Sequence, residues 1–468
     1  QAASSSIRYW NFWWFPSDAD TMIGLAFSGG GIPAALSTMC ILDSLFTHIP
    51  DFSVNSIVST TSGGSVGYLL YEQMNGTTTF PHYDPNVTFA TIDGKMRTPH
   101  HHWFANLVSV IPPDGPWAER VLNAFMSVAK NYDEWFSKTL HLLDRLLYGK
   151  ELVRTPAHRQ WYSSVALMAR SHLPIELDNM TGVYSGAAEG LSLAVVELDS
   201  FPKHHHVNMS GPLALGTSRI ANYKSMTVWD EVAHSVFFWG TDVISDPAKF
   251  AAQETALPFG RLLPSRTKVS FLDGGLVDPT GMAALLQHQV ESIVLFYNVN
   301  HPLTMVDAGL AWLWGRDSKA PGNIKHACLH GPRLGKVFAN PDVYDEVYSN
   351  LTDPEIMRAR LTDVDVQTNE FLGIRQYKLK DLLIVSNEFS PGFVGSFQDP
   401  LIRETPSDKF PNNYKLAVSK AEANLMCMFN DWKVQRHIQE LTEMVVAASD
   451  KGTSDEGTSD EGTSDEGT

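Results

Sequence analysis

Residues 21 to 74 hold two strand–turn–helix units in direct succession, and this pattern constrains the fold more than any other feature of the chain. Ile23 to Phe27 is a short apolar run, followed by Ser28-Gly29-Gly30-Gly31 and then by Leu36, Met39, Leu42 and Leu45 at helical spacing. Val54 to Ser59 reads as a second buried strand, Thr60 to Gly64 as a tight turn and Ser65 to Met74 as a helix. Apolar strands that lead through short turns into helices build parallel sheets with helices on their faces. The pattern returns downstream with Leu191 to Leu198, and with Val269 to Leu272 running into Asp273-Gly274-Gly275. A helix over Gly281 to Val290 and strands over Ser292 to Tyr297 and Leu382 to Val385 follow. Tyr414 to Val446 reads as one or two closing helices, with Leu416, Ala423, Met426 and Phe429 on one face. The expectation is an α/β fold with a mostly parallel central sheet.

The 468 residues allow about three domain-sized units, or one large decorated domain. One domain over 21–450 is expected, with insertions at 75–190 and 301–375. The first begins Thr/Pro/His-rich and continues with an apolar stripe at Leu140, Leu143, Leu146 and Leu147; the second is rich in Pro, Asp and Asn. Residues 1–20 form an N-terminal segment that packs six aromatics between Tyr9 and Phe15, suited either to packing on the core or to anchoring at a bilayer interface. Residues 451–468 repeat Gly-Thr-Ser-Asp-Glu, lack apolar side chains and are expected to be a solvated acidic tail.

Three places can carry chemistry. Ser28 to Gly31 joins a strand to a helix, and its glycines allow several N–H groups to converge on an anion, either a phosphate or a developing oxyanion. No Gly-Lys-Ser/Thr follows, so it is not a nucleotide-binding phosphate loop, and G-x-G-x-x-G is also absent. Thr60-Thr61-Ser62-Gly63-Gly64-Ser65 places Ser62 where a strand turns into a helix, the position of an exposed nucleophile. The competing role is a helix N-cap, which Ser65 could fill instead. Asp273-Gly274-Gly275 ends an apolar strand, and in open α/β sheets the strand C-termini form the ligand-binding edge. All three motifs fall on that edge of the expected sheet.

Taken in this order, the glycine-rich loop, the serine elbow and the Asp-Gly dipeptide resemble the patatin-like hydrolases and the catalytic domains of cytosolic phospholipases. The resemblance covers residues 21–74 and 265–300, and loosely Val228 to Thr241. It implies a three-layer patatin-like domain in which Gly29, Gly30 and Gly31 form the oxyanion hole, Ser62 is the nucleophile and Asp273 is its base. It further implies a lipid acyl hydrolase, of phospholipase A or lysophospholipase type, that works through an acyl-enzyme at a membrane or micelle surface without a cofactor. A neutral-lipid esterase or an acyltransferase would use the same dyad, and a relative without activity would bind lipid or protein. The family usually has a basic residue just after the glycines; this chain has Ile32-Pro33-Ala34. Where the family often has Asn before a Pro, this chain has Asp278 before Pro279.

Charge and cysteine content bound the rest. A net charge of −17 argues against nucleic acid as a partner. Three cysteines, Cys40, Cys328 and Cys427, allow at most one bridge and no thiolate zinc site. The histidine runs 100–102 and 204–206 read as solvated loops, so no metal site is expected. Sequons at Asn75, Asn86, Asn179, Asn208 and Asn350 are compatible with a secreted, lumenal or peripheral-membrane protein, and no apolar run is long enough for a membrane-spanning helix. A Ser–His–Asp triad is the remaining catalytic rival and would need a late histidine: His301, His330 or His437.

Overall fold

The computed structural model describes residues 22–74, 80–92, 161–169, 191–197, 208–210, 255–256, 268–276, 278–298, 308–316, 335–369, 372–404 and 420–454. The aromatic segment, the two histidine runs, the leucine stripe, Val228 to Thr241, His301, His330 and Cys328 lie outside them.

Ten strands form one sheet: β1 (Ile23–Phe27), β2 (Ser56–Thr61), β3 (Trp161–Ala169), β4 (Leu191–Glu197), β5 (Asn208–Ser210), β6 (Thr255–Ala256), β7 (Lys268–Asp273), β8 (Ser292–Tyr297), β9 (Arg358–Val366) and β10 (Tyr377–Ser386). The main order is β5-β4-β3-β2-β1-β8-β10-β9. The five central strands from β3 to β10 are parallel to their neighbours. The flanking pairs, β3 with β4, β4 with β5, β10 with β9, and β7 with β3 and β6, are antiparallel. The sheet is therefore mixed, with parallel pairing confined to its centre, where the expectation was mostly parallel. The physical reason is burial: strands packed on both faces are continuous apolar runs, whereas outer strands need only one apolar face.

Side chains alternate along the central strands between two apolar clusters, as the period of two requires. Ile23, Leu25 and Phe27 of β1, Val294 and Phe296 of β8, and Leu383 and Val385 of β10 share one cluster. That cluster takes its helical side from α1 (Gly31–His48), α2 (Gly63–Met74), α6 (Lys420–Arg436) and α7 (Ile438–Ser454). Ala26, Ile293, Leu295, Leu382 and Ile384 face the other, covered by α3 (Ala283–Gln287), α4 (Ala308–Leu313) and α5 (Val343–Thr352). Helices thus cover both faces of the sheet. Between Ala421 and Val434, α6 is buried on nearly every side. Its polar residues are each engaged: Asn424 donates to the Ile92 carbonyl, Asn430 to Met426 O, and Lys433 to Ser386 O and Asn387 Oδ1.

Two segments differ from their expected roles. Within 75–190, Trp161–Ala169 is a strand of the central sheet, and Phe80 is buried in the main core. Within 301–375, α4, α5 and β9 carry Leu310, Tyr344, Val347 and Val366, all essentially buried, as is Trp314 just after α4. Helix α7 also continues to Ser454, into the repeat expected as tail.

Cys40 of α1 and Cys427 of α6 are joined by a disulfide with Cα atoms 5.0 Å apart. It closes a loop across a sequence separation of 387 residues, so it restrains the unfolded chain strongly. Replacing both cysteines by alanine should lower unfolding free energy by about 2–4 kcal/mol, read from urea denaturation, with the native spectrum unchanged. Equal midpoints for parent and variant would mean the bridge does not form in solution.

Candidate active site

The site is assembled by an unusual strand junction. β2 runs parallel to β3 with Thr61 opposite Ser164, and β7 runs antiparallel to β3 with Asp273 opposite Val165. β4 occupies the other side of β3 from Tyr162 to Met168, so β2 and β7 share one side and meet tip to tip. The last residue of each therefore faces neighbouring residues of one strand, whose Cα atoms are about 3.8 Å apart. Ser62 follows Thr61 directly, so the register brings the backbones of Ser62 and Asp273 together. The expectation placed Asp273 at this edge as the end of a parallel strand. It arrives there from the opposite direction.

Contact with glycines completes the junction. A Cβ on Gly274 would lie 1.8 Å from Ser164 O and 2.7 Å from Thr61 Oγ1, so only glycine fits where β7 passes β2. A Cβ on Gly63 would lie 2.1 Å from Gly31 O, which presses the serine elbow against the first glycine turn. Gly29 is also tight: its Cβ position is 2.9 Å from Ser62 Cβ and 3.6 Å from Oγ.

Ser62 has φ 51°, the left-handed region that a serine rarely adopts, and is 9% exposed. Such strain persists only where the surroundings impose it, and it is a mark of functional elbows. Its main-chain carbonyl accepts from Ser65 N (3.0 Å) and Val66 N (3.4 Å), so Ser62 starts the helix with its backbone. Ser65, the alternative cap, lies inside the first turn of α2. Its hydroxyl bonds Thr60 Oγ1 and Ser163 Oγ, both at 2.9 Å, while Trp161 Nε1 donates to Thr60 Oγ1 at 2.8 Å. This explains the threonine where a G-x-S-x-G elbow has its first glycine: Thr60 fastens the elbow to β3.

The three glycines are not equivalent. Gly29 N–H donates to the Pro279 carbonyl at 3.0 Å and is spent on structure. Gly30 and Gly31 stand at the N-terminus of α1, with φ values of 140° and 66°. The first amides of a helix have no intrahelical acceptor. The first turn of α1 contains no acidic residue, and neither does that of α2, so the positive ends of two helix dipoles next to Ser62 are not offset. An oxyanion formed at Ser62 would meet this field.

Asp278 holds the junction from behind. Its buried carboxylate accepts from Ser164 Oγ (2.8 Å), Thr280 Oγ1 (2.9 Å), Gly281 N (3.0 Å) and Ala283 N (3.0 Å). Burial pushes its pKa up, and these four donors oppose the shift. Asp278 thus links the residue opposite Thr61 to the turn whose Pro279 carbonyl holds Gly29. Asp278 stands where the family often has Asn, and its bond with β3 has no signal in the sequence.

Of the triad histidines, His437 is described and does not fit. It lies 4% exposed beside β9, which is four strands from β2 in the sheet, at about 4.8 Å per step. Its Nδ1 accepts from Arg358 Nε at 3.1 Å. Burial, reinforced by the charges of Arg358, Arg436 and Lys433, pushes its pKa down to about 3 from the ordinary 6.5. A ring so weakly basic is a poor proton acceptor at neutral pH.

Two outcomes follow. Asp278→Asn should destabilise the protein, by about 1–3 kcal/mol for each buried group left unsatisfied, read from urea denaturation; parental stability would mean that the carboxylate braces nothing. For His437, a folded pKa below the unfolded value means stability that is full above pH 6.5 and lost as pH falls toward 3. Parent and His437→Asn should therefore diverge below pH 6.5, the parent falling faster by up to about 1.4 kcal/mol per pH unit. Parallel stability curves would place His437 in solvent.

No protein-family model and no curated protein matches the chain. Among solved structures, it is similar to human GIVD cytosolic phospholipase A2, with 11% sequence identity and a TM-score of 0.45, over 93% of this chain and 61% of that one. The chain spans less than two thirds of that structure's length, and a likeness at this level carries no argument about activity.

Proposed function

We propose that the chain is a lipid acyl hydrolase of phospholipase A or lysophospholipase type, built as a three-layer patatin-like catalytic domain over 21–450. The observation that carries this reading is the tip-to-tip register of β2 and β7, which joins the serine elbow to the Asp-Gly strand end. The glycine turn packed against Ser62 supports it.

Ser62 Oγ attacks the carbonyl carbon of the acyl ester while Asp273 accepts its proton. Negative charge collects on the former carbonyl oxygen, where the N–H groups of Gly30 and Gly31 donate to it. Collapse of the tetrahedral intermediate expels the alcohol, which takes the proton from Asp273 and leaves Ser62 acylated. Asp273 then takes a proton from water, the hydroxide attacks the acyl carbon, and the fatty acid departs as Ser62 Oγ recovers its proton. If another alcohol replaces water in the second half, the same residues perform acyl transfer.

A second reading, a neutral-lipid esterase, is favoured by one feature. The first turn of α1 carries Ile32-Pro33-Ala34 and no cation, and an unpaired phosphate in a partly dry site is costly. Comparing kcat/KM for a phospholipid and a diacylglycerol with the same acyl chains, in the same mixed micelles, separates the two. The proposal predicts preference for the phospholipid; a clear preference for the diacylglycerol would move the assignment to neutral lipid. Ser62→Ala should abolish turnover on both, and Asp273→Asn should lower it about 10²–10⁴-fold, with melting behaviour near the parent. Near-parental turnover in either variant contradicts the dyad.

A further inference from the structure

Away from the dyad, two histidines and a buried carboxylate converge where α1, the segment around His82 and α6 meet. His48 Nε2 lies 2.9 Å and His82 Nδ1 3.0 Å from Asp431 Oδ1, and the three ligand atoms lie within 4.8 Å of one another. Ser44 Oγ donates to the same oxygen at 2.6 Å. Three polar groups thus crowd one carboxylate oxygen, which offers two lone pairs. Asp431 Oδ2 is held separately, by Tyr83 N–H and Gln435 Nε2, both at 2.8 Å.

The surroundings decide what the crowding is for. On the outer side of His82, Nε2 faces Asp43 Oδ2 at 3.4 Å. A carboxylate there favours the tautomer that carries its proton on Nε2 and directs the Nδ1 lone pair inward, the arrangement that orients histidines on metal ions. Asp431 is 3% exposed, whereas His48 and His82 are 26% and 40% exposed, so the group is anchored inside and open to solvent on one side.

We infer that His48, His82 and Asp431 form a binding site for a borderline divalent cation of the zinc class, with Asp43 as the positioning residue for His82 and solvent at the remaining position. Two imidazoles and one carboxylate suit zinc, whereas calcium and magnesium take oxygen ligands. With metal–ligand bonds of about 2.0–2.1 Å, tetrahedral ligands stand roughly 3.3 Å apart, so the two histidine–carboxylate separations need to open by a few tenths of an ångström. The ion would fasten the C-terminal end of α1, whose other end presents Gly30 and Gly31, to α6. The site lies outside the proposed catalytic machinery and stands whether or not Ser62 and Asp273 are catalytic.

The test is a Zn²⁺ titration of the full chain, first stripped with a chelator, in competition with a chromophoric chelator. It is run on the parent, His48→Gln/His82→Gln and Asp43→Asn. The histidine runs at 100–102 and 204–206 also attract zinc, so the readout is the difference between chains. The parent should bind one more tight equivalent than the double variant, and Asp43→Asn should hold that equivalent about 10–100-fold more weakly. Zinc should raise the melting midpoint of the parent and leave that of the double variant unchanged. X-ray absorption of the one-equivalent parent complex should give two imidazoles and a carboxylate oxygen, a result that does not depend on any variant folding. Equal stoichiometry and affinity in parent and double variant, or a zinc shell of three or more imidazoles, would reduce the cluster to hydrogen-bonded ion pairs.

Discussion

The rest of the site depends on one strand, β3, pairing along one side with two strands that run toward each other. β2 reaches it as part of the parallel centre of the sheet, and β7 reaches it antiparallel, so their ends abut at Ser164 and Val165. Neither strand can shift by a residue without reversing which of its side chains face the core. The close passage of Gly274 over Ser164 tolerates no side chain, which fixes the junction further. Two residues more than two hundred positions apart are thereby set side by side by backbone pairing alone.

Around this junction the chain places groups that are expensive to bury unless they are paired. The hydroxyls of Thr60, Ser65 and Ser163 bond one another between β2, α2 and β3, and the Trp161 indole N–H joins them. Asp278 collects four donors from β3 and the turn beyond β7. In a low-dielectric interior such satisfied networks are rigid, because breaking one bond leaves the partner's desolvation uncompensated. Rigidity holds Ser62 in its left-handed conformation, between the glycine turn that starts α1 and the first turn of α2. The middle and the C-terminal part of α1 are secured to α6 by the Cys40–Cys427 bridge and by the Ser44–Asp431 bond.

The central architecture was legible because burial on both faces writes a strand as an unbroken apolar run. Ile23 to Phe27 and Ser292 to Tyr297 are the observed β1 and β8, and the helix read from Leu36, Met39, Leu42 and Leu45 buries all four. Outer strands were harder. β9 interleaves charged and apolar residues, with the alternation interrupted at Thr362-Asp363, and it lies in the Pro-, Asp- and Asn-rich stretch that reads as an insertion. β3 begins after a long stretch without a strand signal and was absorbed into an expected insertion. The direction of β7 was not legible, since an apolar run does not say which way it pairs. The separate fate of the Gly29 amide was equally hidden, because its acceptor is Pro279, brought near only by the fold. The group formed by His48, His82 and Asp431 has no spacing motif for the same reason: its members come from three separate segments.

The central claim is that Ser62 is a nucleophile activated where β2 and β7 meet. A fluorophosphonate forms a stable adduct with an activated serine, and peptide mass analysis locates it. The parent is expected to gain one phosphonyl group, mapped to Ser62, at a rate that drops sharply in Asp273→Asn while that variant stays folded. An adduct on another serine, or labelling of Ser62 at the same rate without the Asp273 carboxylate, would contradict the account.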